Sequence, residues 1–503
     1  VDLRFTPGGA ITRGRAQLEV TGDRSRFAIG ALSHYDGHPI SARLDGQLDL
    51  DAMTLSQASV RANLRDLQLR LDGSADLAGP RGDAAFDVQL ATLNQLGPIV
   101  PLGLEGQGSL SGHARFDAAG GDGPMVDATI MGDLQRFGAG IPILEALLGD
   151  RVQLATDLRL APDGALTLSN LTLDSPNARI RGDLALPGDF ASLDGTFTAA
   201  VPNAGVLEPA LSVPLQGAAD LRAQLSGPLG DPAVNAALTM QEAVVAGQGL
   251  GTARVQAEVR ALASGPNGEI QLDTSSGPAG ALDAQTRFAL SGDTLTLAAI
   301  RARVPGLDVR SDRLDVPLAG GALDGTFAVA SDQLRPLLSR AAGLDADAAA
   351  DLTVRLGADG RGGQEVALSG ALTRVALPDG GPAVERIELD GTVANAFAVP
   401  DADLTVELLR AAAGPLDLER MTVTASGTPG DMDVSAEGEG RGQGTLDQPI
   451  TLSLTGNLGG DGPARVITLG EMRLAVGERT VELARTARLR LQGPEIAVQD
   501  LAL

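Results

Sequence analysis

Apolar and polar residues alternate along almost the whole chain, and at five places the alternation slips by one position. The slip reads apolar, any, apolar, any, any, apolar, any, apolar. Its copies are Met53, Leu55, Ala58, Val60; Leu166, Leu168, Leu171, Leu173; Leu295, Leu297, Ile300, Ala302; Leu416, Leu418, Met421, Val423; and Ile496, Val498, Leu501, Leu503. Side chains on a strand alternate between faces, so one extra residue turns the apolar set to the wrong face unless a bulge, bend or tight turn absorbs it. Each copy therefore predicts two alternating strands joined at a corner.

Residues 152–186 show the grammar in full. Val152, Leu154, Leu158 and Leu160 fall on one face with Thr156, while Gln153, Asp157 and Arg159 point the other way. Pro162, Asp163 and Gly164 predict a turn. Leu166 and Leu168 resume the pattern, it slips at Ser169 and Asn170, and Ile180, Leu184 and Leu186 then alternate against Arg181 and Asp183. Ile450, Leu452 and Leu454 repeat the alternation near the end of the chain. Strands with one apolar and one charged face predict an all-β fold, an elongated curled sheet or trough with few helical turns. With strands of ordinary length the chain makes about 35 of them. Short helical turns are expected at Ile143, Leu144, Leu147 and Leu148, between Pro142 and Gly149, and at Leu334, Leu337 and Leu338 around Pro336.

Longer repeats organise these strands. Leu166 to Leu295, Pro176 to Pro305 and Ile180 to Val309 all span 129 residues. Phe86, Leu96, Pro98 and Gly106 return as Phe197, Leu207, Pro209 and Gly217, each 111 residues on, and Leu193–Phe197 (LDGTF) returns at Leu323–Phe327. Self-similarity at a long period predicts a stacked architecture in which each unit covers its neighbour's apolar surface. The expectation is one repetitive body over residues 1–503, with approximate units 1–165, 166–294, 295–415 and 416–503. The chain begins without Met and ends inside the fifth copy of the slip, so it reads as a length cut from a longer protein.

Composition supports this reading. Ten Phe, one Tyr and no Trp leave few aromatic anchors, yet 43% hydrophobic residues exclude disorder, and 65 Gly with 28 Pro supply turns. The net charge is −25, and all 39 basic residues are Arg, which makes nucleic acid a poor partner. Without Cys there are no disulfides, thiolate zinc sites or thiol redox chemistry, and an oxidising compartment fits. No stretch of about 18 apolar residues predicts a membrane-spanning helix.

Candidate chemistry is sparse. His34 and His38 flank Asp36, but on a loop that spacing fixes no metal geometry, and His113 stands alone. So few His and no Cys leave little material for a nucleophilic triad, and 64 acidic residues on alternating outer faces read as solubilising charge. The Arg-Gly-Asp triplets at Arg81 and Arg181 are expected by chance. Alternating glycines at Gly247, Gly249, Gly251 and at Gly438, Gly440, Gly442, Gly444 lack the strand-to-helix setting of a nucleotide loop, and predict a sharp bend ahead of a close backbone approach. No enzyme activity, cofactor or metal is expected.

The stretch from Leu166 to Val259 resembles the periplasmic part of the TamB family, with its LxLxxLxL segment, its xLxGxL strands and the block SGPLGDPAVNAALTM before QGLG; weaker copies cover the whole chain. AsmA-like bridge proteins of the Gram-negative envelope are wider relatives. The resemblance implies a β-taco whose hydrophobic groove conducts phospholipid acyl chains between inner and outer membranes. It implies an N-terminal inner-membrane anchor and an outer-membrane barrel partner of the TamA type, both through segments absent from this sequence. The expected groove lining is Val152, Leu154, Leu158, Leu160, Leu166, Leu168, Ile180, Leu184, Ile450, Leu452 and Leu454. A role in outer-membrane protein or autotransporter assembly, and a purely structural β-solenoid spacer or adhesin, are the alternatives.

Overall fold

The computed structural model describes residues 13–22, 39–96, 103–118, 123–342, 345–377, 382–414, 416–442, 447–459, 464–492 and 495–499. These residues form thirty strands, every pairing among them antiparallel to a sequence neighbour or near neighbour, with a few short helical turns. Alternating Leu, Val and Ala against Asp, Arg and Thr favour this element, and the Gly- and Pro-rich turns between them return the chain after each pass. The structure thus has the expected all-β, sheet-dominated class. The chain divides into two compact units, Val1–Ser264 and Gly265–Leu503.

In the first unit β1 (Arg13–Gly22) and β2 (Ile40–Asp49) lead into a five-strand cassette. It comprises β3 (Thr54–Leu64), β4 (Leu67–Asp76), β5 (Arg81–Leu90), a 3-10 turn at Leu93–Leu96, β6 (Glu105–Asp117) and β7 (Met125–Gly138). After α1 (Pro142–Leu148) and β8 (Arg151–Leu160) the cassette returns as β9 (Leu166–Asp174), β10 (Arg179–Leu186), β11 (Ser192–Val201), a 3-10 turn at Ala204–Leu207 running into α2 (Glu208–Leu211), β12 (Leu215–Pro228) and β13 (Ala233–Val245). β14 (Gln248–Arg260) closes the unit.

The second unit starts with β15 (Asn267–Thr274) and β16 (Asp283–Ser291), and a third cassette follows: β17 (Thr294–Val304), β18 (Leu307–Pro317), β19 (Asp324–Ser331), α3 (Arg335–Ala342), β20 (Asp347–Ala358) and β21 (Gln364–Ala376). The meander continues through β22 (Ala383–Ala394), β23 (Asp401–Ala413), β24 (Leu416–Thr428), β25 (Asp431–Gly442), β26 (Pro449–Gly459) and β27 (Ala464–Val476). β28 (Arg479–Glu482) and β29 (Ala487–Gln492) pair with different parts of β27, and β30 (Glu495–Gln499) pairs with β29. Phe86, Phe197 and Phe327 occupy the third strand of successive cassettes, which accounts for the recurring LDGTF.

The slip in the sequence is a β-bulge. Each of the first four copies, apart from Met53 in the turn ahead of β3, lies in one uninterrupted strand, β3, β9, β17 or β24, where two joined strands were expected. Register with a neighbour shifts at Leu55/Ala58 on β3, opposite β9 at Gly182/Leu184, opposite β17 at Gln285/Arg287 and at Leu418/Arg420 on β24. Gln57, Asn170 and Ala299 take positive φ of 51°, 55° and 52° at the first three. Of the fifth copy, Ile496 and Val498 lie in β30, and Leu501 and Leu503 fall outside the described residues.

A second set of bulges sits near the ends of β7, β13 and β21, at Arg136, Glu242 and Arg374, with φ between 52° and 56°, and Arg410 on β23 takes φ 52° with no shift of register. Opposite the first two stand Gly106 and Gly217, at φ 108° and 115°, where a Cβ would overlap the carbonyl oxygens of Arg136 and Gln241. Only glycine fits there, which explains why this pair recurs 111 residues apart.

Candidate functional site

Cross-strand partners share a face, so the register identifies which side chains form continuous rows. In the first unit one row runs Val20, Ala42, Ala62, Leu69, Val88, Leu110, Gly132, Leu154, Leu173, Ile180, Ala199, Leu221, Leu238 and Val255, one residue from each of β1 to β14. Every member is aliphatic or glycine. At the usual strand separation this row follows the sheet for about 60 Å. The second unit carries a matching row across β15 to β27: Leu272, Ala284, Ala302, Val309, Val329, Leu352, Gly370, Leu389, Val406, Val423, Ala436, Leu454 and Met472.

The bulges keep these rows intact. Without a bulge to absorb the extra residue at Asn170, Leu171 and Leu173 would lie on the face opposite to Leu166 and Leu168. Leu168 instead pairs with both Leu158 and Leu184, and Leu173 with both Leu154 and Ile180, all on one side. At the bulges of β9 and β17 a threonine on the apolar face of the neighbouring strand meets a backbone carbonyl. Thr156 Oγ1 donates to the Ser169 carbonyl at 3.1 Å, and Thr286 Oγ1 donates to the Ala298 carbonyl at 3.2 Å. The polar Thr156 among leucines is therefore a bulge cap. Asn170 tolerates its left-handed backbone, and its Nδ2 donates to Asp157 Oδ2 at 2.8 Å on the polar face.

The residues expected to line a groove share this face. Leu160, Leu166 and Leu186 form one rung, and Leu158, Leu168 and Leu184 another. Val152, against Leu134, is buried at 1% exposure, and Ile450, against Gly440 and Val476, is buried as well. Leu154, Leu158, Leu160, Leu166, Leu168, Ile180, Leu184, Leu452 and Leu454 are half-buried, with exposed residues between them on each strand. Among the described residues, the elements in contact with these strands are their sheet neighbours and, at one edge of the first unit, short helical turns.

Sequence reasoning missed the aromatic seats. Phe86 lies opposite Gly112 and Phe197 opposite Gly182, and a Cβ on Gly112 would stand 2.7 Å from the Phe86 ring. The xLxGxL strands carry glycine where the adjacent strand lays a ring flat on the sheet, a pairing that strengthens a glycine-weakened strand. The alternating glycines follow a related rule. At Gly440 the Leu418 backbone comes within 2.7 Å of where a Cβ would be, so close approach prevails there over the expected bend, while Gly247 is a turn residue at φ 80° and Gly444 lies outside the described residues.

Helical turns cover one edge of the apolar face in the first unit. Leu93 and Leu144 pack with Leu90, Leu104 and Ala139 over β5 to β7, and Leu147 and Val206 close over Ala178, Val201 and Ala219. α1 reaches across four strands to lie against Ala204–Leu211. Ser175 Oγ and Asn177 Nδ2 in the intervening turn donate to the carbonyls of Leu147 and Ala146, at 3.0 and 2.8 Å. The expected turns at Ile143–Leu148 and around Pro336 are α1 and α3; those at Leu93 and Ala204 were not anticipated, because each is barely one turn long.

The opposite face is a lattice of exposed ion pairs. Arg43 with Asp45, Arg70 with Asp72 and Arg313 with Asp315 join residues two apart on one strand, and Arg151 reaches Asp133 across strands at 2.6 Å. The guanidiniums of Arg43, Arg70 and Arg151 hold Asp45, Asp72 and Asp133 below the usual carboxylate range, and hydrogen bonds from Asn170 and Thr296 do the same for Asp157 and Asp315. A general acid needs the opposite shift. His113 Nε2 lies 2.7 Å from Asp83 on this exposed surface, and His34, Asp36 and His38 lie outside the described residues. Both Arg-Gly-Asp triplets are in mid-sheet strands, β5 and β10. Among the described residues no helix is long and apolar enough to cross a membrane.

No family model, curated protein or solved structure matches the chain.

Proposed function

We propose that the apolar face binds phospholipid acyl chains and lets them move along the sheet, as a periplasmic segment of an inner-membrane-anchored bridge of the TamB type. The observation that carries this reading is the unbroken aliphatic row in each unit, half-buried and largely uncovered. Burying an acyl chain against it is favourable by about 0.8 kcal/mol per methylene, and rungs of similar Leu, Val and Ala offer no single deep trap. An antiparallel meander also leaves its face open, where stacked coils of a solenoid seal it inside.

Native mass spectrometry of the chain produced in a membrane-containing host tests the proposal. Phospholipid is expected to co-purify and to be lost from Leu158→Arg and Leu184→Arg, which place charge on the central rung. Lipid-free protein, or unchanged lipid in both variants with native circular dichroism, rejects it.

A further inference from the structure

The loop between β22 and β23 ends in the two most exposed large apolar side chains among the described residues, Phe397 at 77% and Val399 at 69%. Its six residues, Asn395 to Pro400, carry no charge, and the exposed apolar residues of other turns, such as Leu77, Phe190 and Leu318, stand singly. Neither side chain belongs to an apolar cluster, so the fold does not account for their type.

We infer that this loop inserts into the interfacial layer of a lipid bilayer. Two features favour lipid over a protein pocket. First, two of the loop's backbone donors are already used within the protein: Ala396 N–H donates to the Gln364 carbonyl at 3.0 Å and Ala398 N–H to the Asn395 carbonyl at 2.9 Å. The tip therefore enters a medium poor in hydrogen-bond partners without stripping those groups. Second, past Asn395 the tip has no polar side chain to match the hydrogen-bonding rim of a protein interface. An aromatic ring beside a β-branched aliphatic suits the boundary between headgroups and acyl chains. Asp401 and Asp403 follow directly, so the loop favours zwitterionic over anionic surfaces.

The inference stands apart from the groove. Because the chain has no Trp, Phe397→Trp creates a single reporter. With phosphatidylcholine vesicles its emission is expected to shift to the blue and to be quenched by brominated acyl chains, less so when phosphatidylglycerol is added. Val399→Asp in the same background is expected to abolish the quenching with circular dichroism unchanged, and Leu158→Arg to leave it intact. Emission that stays at its value in buffer, quenching that survives Val399→Asp, or a blue shift without vesicles that grows with protein concentration, as a second copy covering the loop gives, each overturns it.

Discussion

The two units build the same aliphatic row and protect it differently. In residues 1–264 large side chains reach full burial beside alanines: Leu90, Leu93, Leu148 and Val152 are at 1–3% exposure, near where helical turns fold over one edge of the sheet. In residues 265–503 the buried set is mostly alanine, including Ala346, Ala348, Ala349, Ala350, Ala371 and Ala436, with Ile450 the large exception. α3 is the one helix described there. Strand pairing alone thus maintains a continuous apolar face, and the helical rim adds anchoring for bulky side chains at one margin.

Removing an anchor gives the largest expected effect. Leu93→Ala leaves a cavity among Leu90, Leu104 and Ala139 and is expected to cost about 2–5 kcal/mol. Leu454→Ala, on the half-buried row of the second unit, is expected to cost about 1 kcal/mol, because truncation at a site partly open to solvent leaves no closed cavity. Urea unfolding of both variants checks this, and equal losses would break the comparison.

A smaller effect sharpens it, since the bulge caps recur in both units. Thr156→Val and Thr286→Val each strand one carbonyl, and each is expected to lose about 1 kcal/mol, independently of the helical rim. A loss confined to Thr156 would tie the cap to α1 rather than to the bulge. The smallest effect is acid sensitivity. Asp45, Asp72 and Asp133 in the first unit and Asp315 in the second ionise more readily in the folded chain than when unfolded. Their contribution is complete above the ordinary carboxylate range and fades as pH falls through the lowered values. On so exposed a surface it is small and screened by salt, so acid denaturation curves in low and high salt are expected to differ slightly, more in the first unit.

The strands and early bulges were legible because each slip at Gln57, Asn170 and Ala299 is flanked by two apolar pairs, enough to show the change of phase. The bulge at Arg136 carries the same spacing, between Leu134 and Phe137, but β7 ends one residue later, so no second pair within the strand reveals it. The groove candidates were found by face, since period two assigns Leu158 and Leu184 to one side. That they share Leu168 as a partner was not legible, because register depends on turn length and on how many residues each bulge absorbs. The helical rim was hidden for a related reason: α1 meets Ala204–Leu211 across four intervening strands, a contact no local pattern encodes.

The connectivity of the meander has a consequence for how the chain forms. Nearly every strand pairs with the one just made, so each addition closes only a short loop, and the entropy of closure does not grow as the sheet lengthens. Such a chain can zip from any nucleated hairpin and extend in either direction. Made from its amino end, the chain can set each strand in register against the last before the next arrives.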